Sequence, residues 1–278
     1  MAVMTTEASS NTPREQLGRV IGQLGDYLQH LKDEGVTQVE VSATNLKELG
    51  MVPPRSQAQP QESLFAQPAS APAPAPAEDT PRLPASDVTA GLKKIAGRVA
   101  ACEKCRLHKT RTNTVPGQGT PTPEIMFIGE GPGADEDAQG LAFVGRAGQL
   151  LTKIIEAMGL TREQVFIGNI VKCRPPENRT PTPDEMQACM PYLTEQIALL
   201  QPKVIVALGA TAVRGLLNVE TGITRLRGQW MTHQGIDVMP TYHPAYLLRN
   251  SAGKKFVWED MKAVLAKLGR QPPPIKKK

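Results

Sequence analysis

IMFIGEGPG, residues 125–133, is a run of bulky apolar residues that passes directly into a glycine-rich turn. Two similar apolar runs follow it, VFIGNI (165–170) and KVIVALG (203–209), and a less regular fourth is IDVMPTYH (236–243). Short apolar runs bounded by turn residues are typical of strands that are buried on both faces. The four runs therefore predict the strands of one mainly parallel sheet.

Helical patterns alternate with these strands. We predict four helices, over about residues 146–158, 184–200, 210–218 and 253–268. The alternation implies a three-layer α/β/α fold around a mainly parallel four-stranded sheet. Such sheets bind ligands in the crevice beyond the carboxyl ends of their strands. Because GEGPG (129–133), Asn169 and His243 stand at three of those ends, the crevice there is the predicted site.

The rest of the chain divides by composition. Residues 52–86 are rich in Pro, Ala, Gln and Ser, and the segment APAPAPA (71–77) favours an extended chain without a core. We therefore assign an N-terminal helical extension to residues 1–51, a linker to 52–86, the α/β domain to 87–270 and a basic tail to 271–278.

Residues 13–33 predict an amphipathic helix, because apolar residues recur at three- and four-residue steps. Its apolar face consists of Leu17, Val20, Ile21, Leu24, Leu28 and Leu31. Such a face either packs within its own domain, or docks on a protein partner or on a second copy of the chain. The periodicity does not separate these alternatives.

Charge is distributed unevenly along the chain. The net formal charge is +5, of which residues 1–86 carry −4 and residues 87–278 carry +9. A basic globular part beside an acidic extension suits a polyanionic partner such as DNA. The N-terminus lacks the basic start and apolar core of a secretory signal, and no apolar run approaches the roughly 20 residues that cross a bilayer. We therefore expect a cytoplasmic protein without a membrane partner.

All four cysteines, Cys102, Cys105, Cys173 and Cys189, lie in the α/β region. Two residues separate the first pair, which allows both thiolates to hold one metal centre, whereas fifteen residues separate the second pair. Disulfides are disfavoured in a cytosolic chain. Structural zinc commonly uses two short knuckles, and the second pair does not form one. The spacing favours an iron–sulfur cluster, with zinc as the alternative.

Four motifs, in order, resemble those of the family 4 uracil-DNA glycosylases. They are GEGPGADED (129–137), AFVGRAG (142–148), GNIVKCRPPENRTP (168–181) and YHPA (242–245). The resemblance covers about residues 95–268 and none of the N-terminal extension. It implies an enzyme that hydrolyses the N-glycosidic bond of uracil in DNA and so initiates base excision repair. It also implies a 4Fe–4S cluster without a redox step, bound by the four cysteines.

Uracil must leave the duplex stack before its bond can be cut, so the resemblance implies a pocket for a flipped base. The Asn169 amide has an acceptor for uracil N3–H and donors for O4, the positions at which cytosine has the reverse pattern. Phe143, flanked by Gly140 and Gly145 in a loop, is expected to stack on the base rather than to belong to the core. Gly131 is expected to open the GEGPG turn, so that backbone N–H groups contact the base.

Bond cleavage leaves negative charge on uracil, and donors fixed around its oxygens lower the barrier. His243, in the HPA motif, is expected to donate a hydrogen bond to uracil O2. Glu130 is expected to contact the base or to orient the attacking water as a weak general base. The best-known branch of the superfamily has an aspartate where this chain has Gly131, so that carboxylate is missing here. The acidic residues 135–137 fit the first turn of a helix rather than catalysis.

The loop after the HPA motif is the candidate DNA-binding element. The resemblance implies that it enters the minor groove, where an apolar side chain fills the gap left by the flipped base. Leu247 is the expected wedge, and Arg249 is an expected DNA contact. Further candidate phosphate contacts are Arg146, Arg174, Arg179, Lys254 and Lys255.

Two other functions fit parts of this pattern. One is a sister glycosylase that acts on hypoxanthine or other deaminated bases, against which Asn169 and Glu130 argue. The other is a cluster-bearing DNA-binding or polymerase-associated module without catalysis, tethered through the N-terminal helix and linker. Release of free uracil separates the enzyme from the binding module, and a panel of DNA lesions separates the two enzymes.

Overall fold

A six-stranded mixed sheet lies at the centre of residues 82–274, which are the residues that the computed structural model describes. The predicted helix 13–33, residues 52–81 of the predicted linker and residues 275–278 of the predicted tail lie outside this range. The strands are β1 (Gln118–Gly119), β2 (Ile125–Gly129), β3 (Phe166–Asn169), β4 (Val204–Leu208), β5 (Met231–His233) and β6 (Ile236–Thr241).

The sheet has the order β1-β3-β2-β4-β6-β5, and its four central strands are parallel. These are the four strands that the apolar runs predict. Strands β1 and β5 add an antiparallel edge on each side, so the prediction of a four-stranded sheet is wrong in its count. Both edge strands are only two or three residues long and are partly exposed, so they have no apolar run that would reveal them.

Eight α-helices are described within residues 82–274. They are α1 (Ala85–Ala100), α2 (Ala134–Gln139), α3 (Arg146–Ala157), α4 (Pro183–Leu200), α5 (Ala210–Leu217), α6 (Ile223–Leu226), α7 (Pro244–Arg249) and α8 (Lys254–Lys267). The four predicted helices correspond to α3, α4, α5 and α8. Helix α1 starts at Ala85, so the predicted linker boundary at residue 86 is corrected to residue 84 or earlier. None of the helices in the described part of the chain is long and apolar enough to cross a membrane.

Helices cover both faces of the sheet. Along β2, Met126 and Ile128 belong to one core cluster, whereas Ile125 and Phe127 belong to the other. This alternation follows from the two-residue period of a strand. Helices α1, α4 and α5 contribute to the first cluster, and α3 and α8 to the second. The described residues therefore form the three layers that the sequence predicts.

Strand register brings distant motifs to one edge of the sheet. Gly129, at the end of β2, lies opposite Asn169, at the end of β3. On the other side of β2, Leu208 at the end of β4 lies opposite Thr241 at the end of β6. Because all four strands are parallel, the residues that follow them meet at the same carboxyl edge.

Candidate functional site

A cleft of about 620 Å³ lies at the carboxyl edge of the central strands. Its lining includes Glu130, Gly131, Phe143, Asn169, His243 and Arg249. All the residues predicted to contact the base or to act in catalysis, together with Arg249, line this cleft, whereas Leu247 does not. Of the further candidate phosphate contacts, Arg146 and Arg179 line it, and Arg174, Lys254 and Lys255 do not. Glu130 and His243 are more than 100 positions apart in the chain, and the parallel register brings them to the same edge.

Asn169 ends β3 at the floor of the cleft. It is buried, with 1% exposure, and its Oδ1 has no hydrogen-bond partner among residues 82–274. A buried acceptor without a partner costs about 1–3 kcal/mol, so such atoms are uncommon in folded proteins. An unpaired acceptor in the lining of a cleft is the arrangement expected where a ligand N–H completes the pairing.

Phe143 forms a wall of the same cleft. Its ring centroid lies 5.7 Å from that of His243, and its backbone has the left-handed value φ = 53°. This conformation is unfavourable for a bulky residue and is found where the surroundings enforce it. The side chain is 6% exposed and packs in the second core cluster, so the expectation that it stands outside the core is wrong.

Glu136 holds the Phe143 loop in place. One carboxylate oxygen accepts hydrogen bonds from the backbone N–H groups of Val144 and Gly145, both at 2.9 Å, and the other accepts from Gly133 at 3.1 Å. The sequence predicts only a helix-capping role for this residue, and its bond from the Gly133 N–H does cap the start of α2. Nothing in the acidic run distinguishes Glu136 from its neighbours, because the bonds to the 144–145 loop depend on the fold.

Gly129 makes room for the side chains of Phe143 and Asn169. A Cβ atom at this position would lie 2.5 Å from Phe143 Cζ and 2.6 Å from Asn169 Oδ1. We expect Gly129→Ala to displace these groups and to lower the single-turnover rate on a uracil oligonucleotide by about 100-fold, since small misplacements of positioning groups have effects of this size. Gly97→Ala is the matched control, because a Cβ there meets nothing within 4 Å. A wild-type rate for Gly129→Ala would contradict this assignment.

His243 enters the cleft as the residue before α7. Its Nδ1 accepts a hydrogen bond from the Ala245 backbone N–H at 3.1 Å. Burial, with a smaller contribution from the positive charge of Arg249, lowers the pKa of His243 to about 4. The ring is therefore neutral at pH 7, and because Nδ1 is an acceptor, the single proton is on Nε2. The structure thus supplies a neutral N–H donor, which the sequence leaves undefined.

The low pKa of His243 predicts the pH dependence of catalysis. The neutral ring is the form that keeps its bond from Ala245, and it persists until the pH falls towards 4. We expect the single-turnover rate to show no inflection near the usual histidine pKa of about 6.5 and to decline only towards pH 4. Rates measured between pH 4.5 and 8 test this, with circular dichroism as a control for folding. An inflection near pH 6.5 that disappears in His243→Asn would contradict it.

Glu130 is held by a partner that the sequence analysis missed. Thr211 Oγ1, at the start of α5, donates to Glu130 Oε2 at 2.5 Å. The backbone carbonyl of Glu130 accepts from Val171 N–H at 3.2 Å, which continues the β2–β3 pairing beyond the strand ends. The carboxylate is therefore fixed in the cleft lining. The only signal for Thr211 in the sequence is its position just after the third apolar run.

Helix α7 corrects the prediction for the DNA wedge. Leu247 is 1% exposed and packs in the second core cluster, so it is not available for insertion. On the same short helix, Tyr246 and Leu248 are 37% and 43% exposed. The sequence places all three residues next to one another, and the rotation of the helix against its neighbours decides which of them is exposed.

Arg179, a candidate phosphate contact, is already paired. It donates to both carboxylate oxygens of Glu185, at 2.8 and 2.7 Å, and Glu185 is fully buried. The Arg179 hydrogen bonds, followed by smaller effects that include the Arg106 ion pair, lower the pKa of Glu185 to about 2. Arg179 therefore holds the segment after Cys173 onto α4, and it lines the cleft together with Arg146 and Arg249.

The four cysteines line a second, small cavity, away from the cleft edge. Arg111 Nη1 donates to Cys173 Sγ at 3.2 Å and to the Cys102 carbonyl at 2.8 Å. The Lys172 backbone N–H donates to Cys189 Sγ at 3.3 Å. Burial raises the pKa of the Cys105 and Cys173 thiols, and that of Cys189 to about 11. Cys173 and Cys189 are buried and accept hydrogen bonds at sulfur, and Cys102 and Cys105 are half-buried in the same cavity. Four sulfurs in one cavity suit thiolates that are neutralised by a metal centre.

Among residues 82–274, no three His, Cys, Asp or Glu side chains are grouped to hold a single metal ion. The four cysteines nevertheless line one cavity. Dispersed cysteines of this kind can bind an iron–sulfur cluster, each at its own iron.

Comparisons with known proteins agree with this geometry. The profile of the uracil DNA glycosylase superfamily matches residues 116–262. The type-4 uracil-DNA glycosylase of Sulfurisphaera tokodaii is 48% identical over 182 residues, which are 62% of this chain and 83% of that protein. The type-4 enzyme of Thermotoga maritima is 48% identical over 61% of this chain and 91% of its own length. A type-5 uracil-DNA glycosylase from Pyrobaculum aerophilum is 31% identical over 49% and 68%.

An α/β/α fold with a cleft at its carboxyl edge and a matching family profile across that fold define the class. The chain belongs to the uracil DNA glycosylase superfamily. Within it, the relatives at 48% identity place the chain in the type-4 family rather than with the type-5 enzymes.

Proposed function

We propose that the protein is a uracil-DNA glycosylase that hydrolyses the bond between uracil and deoxyribose in a flipped-out nucleotide, and so initiates base excision repair. One observation carries the assignment: the buried, unpartnered Asn169 Oδ1 faces the same cleft as the neutral N–H donor of His243. Together they provide an acceptor and a donor for the two sides of one pyrimidine ring.

Asn169 distinguishes uracil from cytosine by hydrogen bonding. Its Oδ1 accepts from uracil N3–H, and its amide N–H donates to O4. Cytosine has an acceptor at N3 and a donor at C4, so both contacts become unfavourable. Sites built on such hydrogen bonds discriminate strongly, because a mismatched base leaves buried polar groups unpaired. The Phe143 ring, fixed by its loop, stacks on the flipped base.

His243 stabilises the leaving group. As the glycosidic bond breaks, negative charge builds on the uracil ring, and Nε2–H donates to O2 without giving up its proton. A donor that is already oriented by the Ala245 hydrogen bond needs no reorganisation during the reaction. The backbone N–H groups of the turn that contains Gly131 add further donors at the same side of the cleft.

Glu130 orients the attacking water. Thr211 occupies one of its oxygens and leaves the other for a water molecule on the sugar side of the base. Because the deoxyribose acquires positive character as uracil departs, a fixed carboxylate also favours that charge. No covalent bond between protein and DNA is needed in this scheme, since the water supplies the new oxygen at the sugar.

DNA binds across the mouth of the cleft. Arg146 and Arg249 contact the phosphates beside the flipped nucleotide, since both line the cleft and carry positive charge. Leu248, the most exposed apolar side chain of α7, replaces Leu247 as the proposed wedge that fills the vacated stack.

Cys102, Cys105, Cys173 and Cys189 would hold a 4Fe–4S cluster. When bound, the cluster supplies four iron–thiolate bonds that cross-link segments of the chain, and it takes no part in electron transfer. Arg111 supports the site by binding Cys173 Sγ together with the backbone carbonyls of Ala100 and Cys102. The chain between Cys102 and Cys189 includes most of the cleft residues, so this cross-link supports the cleft.

The test is release of free uracil from a synthetic oligonucleotide, followed by chromatography. We expect uracil release from single- and double-stranded DNA, and no release of hypoxanthine, xanthine or cytosine from matched oligonucleotides. Binding without release would identify a non-catalytic DNA-binding module. Comparable rates on hypoxanthine and uracil would identify the broader glycosylase instead.

A further inference from the structure

Lys172 is the one buried lysine among residues 82–274, and its side chain is fully inaccessible to solvent. It lies between the Asn169 that ends β3 and the cysteine Cys173. None of the steps above uses this ammonium group. Burying a charge is costly unless it is compensated, so its presence at this position calls for a role.

The side chain of Lys172 makes two hydrogen bonds. Its Nζ donates to the backbone carbonyl of Asn169 at 2.9 Å and to Gln196 Oε1 at 2.7 Å. Gln196 lies on α4 and is 2% exposed, and its side-chain Nε2 in turn donates to the Pro116 carbonyl at 2.7 Å. Within residues 82–274, Lys172 forms no ion pair with a carboxylate. The ammonium therefore joins the peptide of Asn169 to α4.

The backbone of Lys172 is fixed from the other side. Its N–H donates to Cys189 Sγ at 3.3 Å, and its carbonyl accepts from Val115 N–H at 2.8 Å. The backbone of Lys172 is thus bound to Cys189, and its side chain is bound to the carbonyl of Asn169. Because the Asn169 Oδ1 has no partner among residues 82–274, the orientation of the side chain depends on how firmly its backbone is held.

We infer that Lys172 is a positioning residue for base recognition, which fixes the peptide of Asn169 so that its unpaired amide meets uracil. The inference rests on the proposed function. An ammonium that donates to two neutral acceptors makes strong, charge-assisted hydrogen bonds, and here one of the acceptors is the Asn169 carbonyl. Loss of the ammonium lets the end of β3 relax, and recognition is lost with it.

A double-mutant cycle tests this inference. Lys172→Met removes the ammonium and keeps most of the side-chain volume, and we expect the single-turnover rate on a uracil oligonucleotide to fall by about 30-fold or more, with iron content unchanged. In an Asn169→Ala background, the same substitution should cost less than about threefold, because the group it positions is gone. Equal losses in both backgrounds would overturn the inference, since a merely structural residue acts independently of Asn169.

Lys203→Met is the matched control. This exposed lysine forms an ion pair with Glu124 and lies next to the amino end of β4, opposite the cleft. It should leave the rate unchanged, which shows that a lysine-to-methionine change alone is harmless. If Lys172→Met is insoluble or lacks iron, Gln196→Met is examined in the same cycle with the same two outcomes. Loss of iron in that variant as well would overturn the inference, because the network would then serve the cysteine centre.

A binding measurement separates failure of this inference from failure of the proposed function. The probe is an oligonucleotide that carries uracil on a 2′-fluorinated sugar, which resists cleavage. Its Kd is measured for the four proteins of the cycle, which are the wild type, Lys172→Met, Asn169→Ala and the double variant. If the wild type releases no uracil, the proposed function fails, yet the coupling between positions 169 and 172 is still measurable as a difference in Kd. Additive losses of affinity would overturn the inference on this readout too.

Discussion

Asn169→Ala is expected to lower the single-turnover rate of uracil excision by about 30- to 1000-fold. This factor corresponds to a loss of about 2–4 kcal/mol of transition-state stabilisation. The loss follows from the geometry, because the buried Oδ1 has no partner among residues 82–274 and is free to pair with the base. Iron content and thermal unfolding should stay at wild-type values, since the side chain makes no hydrogen bond that stabilises the fold. Excision at the wild-type rate by a folded, iron-replete variant would mean that the base is recognised elsewhere.

Asn169→Asp distinguishes lost binding from altered recognition. A carboxylate at this position repels uracil O4 and accepts from the amino group of cytosine. We therefore expect a loss of uracil excision at least as large as that of Asn169→Ala, together with slow release of cytosine. The gain should be small, because cytosine is the poorer leaving group and the rest of the cleft suits uracil. Asn169→Ala is the matched control, and cytosine release by both variants would contradict the assigned hydrogen bonds.

Cys102→Ala is expected to remove the visible colour of the purified protein, most of its iron and its activity together. One of the four proposed ligands is lost, and three sulfurs remain in the shared cavity. Because a structural metal centre contributes to folding free energy, unfolding should shift down by about 10 °C or more, at roughly 2–4 °C per kcal/mol in a domain of this size. Iron assay, absorbance and calorimetry on anaerobically purified protein measure these effects.

Tyr192→Phe is the matched control for the cysteine variant. Tyr192 lines the same cavity and is buried, but it has no thiol. It should retain iron and colour, so that a loss confined to Cys102→Ala identifies the ligand rather than general damage to the cavity. Stoichiometric zinc in natively expressed wild-type protein would contradict the iron–sulfur assignment and restore the alternative that cysteine spacing leaves open.

The placement of the candidate site was predictable from the sequence because its signals are local. Four apolar runs identify the central strands, and the residues that end them identify the functional edge. The edge strands β1 and β5 were missed because a two- or three-residue strand has too few positions to show a period. Helix α1 was missed because it directly follows a proline-rich segment. Its buried positions, Val88, Ile95 and Val99, contact α4 only in the folded chain.

The details of the site were decided by tertiary contacts. Leu247, Leu248 and Tyr246 are equivalent candidates in the sequence, and the packing of α7 against the core buries the first and exposes the other two. The protonation state of His243 depends on its burial and on the Ala245 N–H that its Nδ1 accepts. The HPA motif by itself determines neither the burial of His243 nor this hydrogen bond.

By itself, the sequence determined which residue types stand at the strand ends and that four cysteines share one region. Hydrophobic periodicity and short motifs are properties of neighbouring residues, so they can be read along the chain. Only the tertiary structure decided that Glu136 holds the Phe143 loop, that Thr211 holds Glu130 and that Lys172 binds the peptide of Asn169. The hydrogen bond between Thr211 and Glu130 joins residues that are 81 positions apart. Spacing along the sequence does not predict such a pair, because the two residues meet only when the parallel strands assemble.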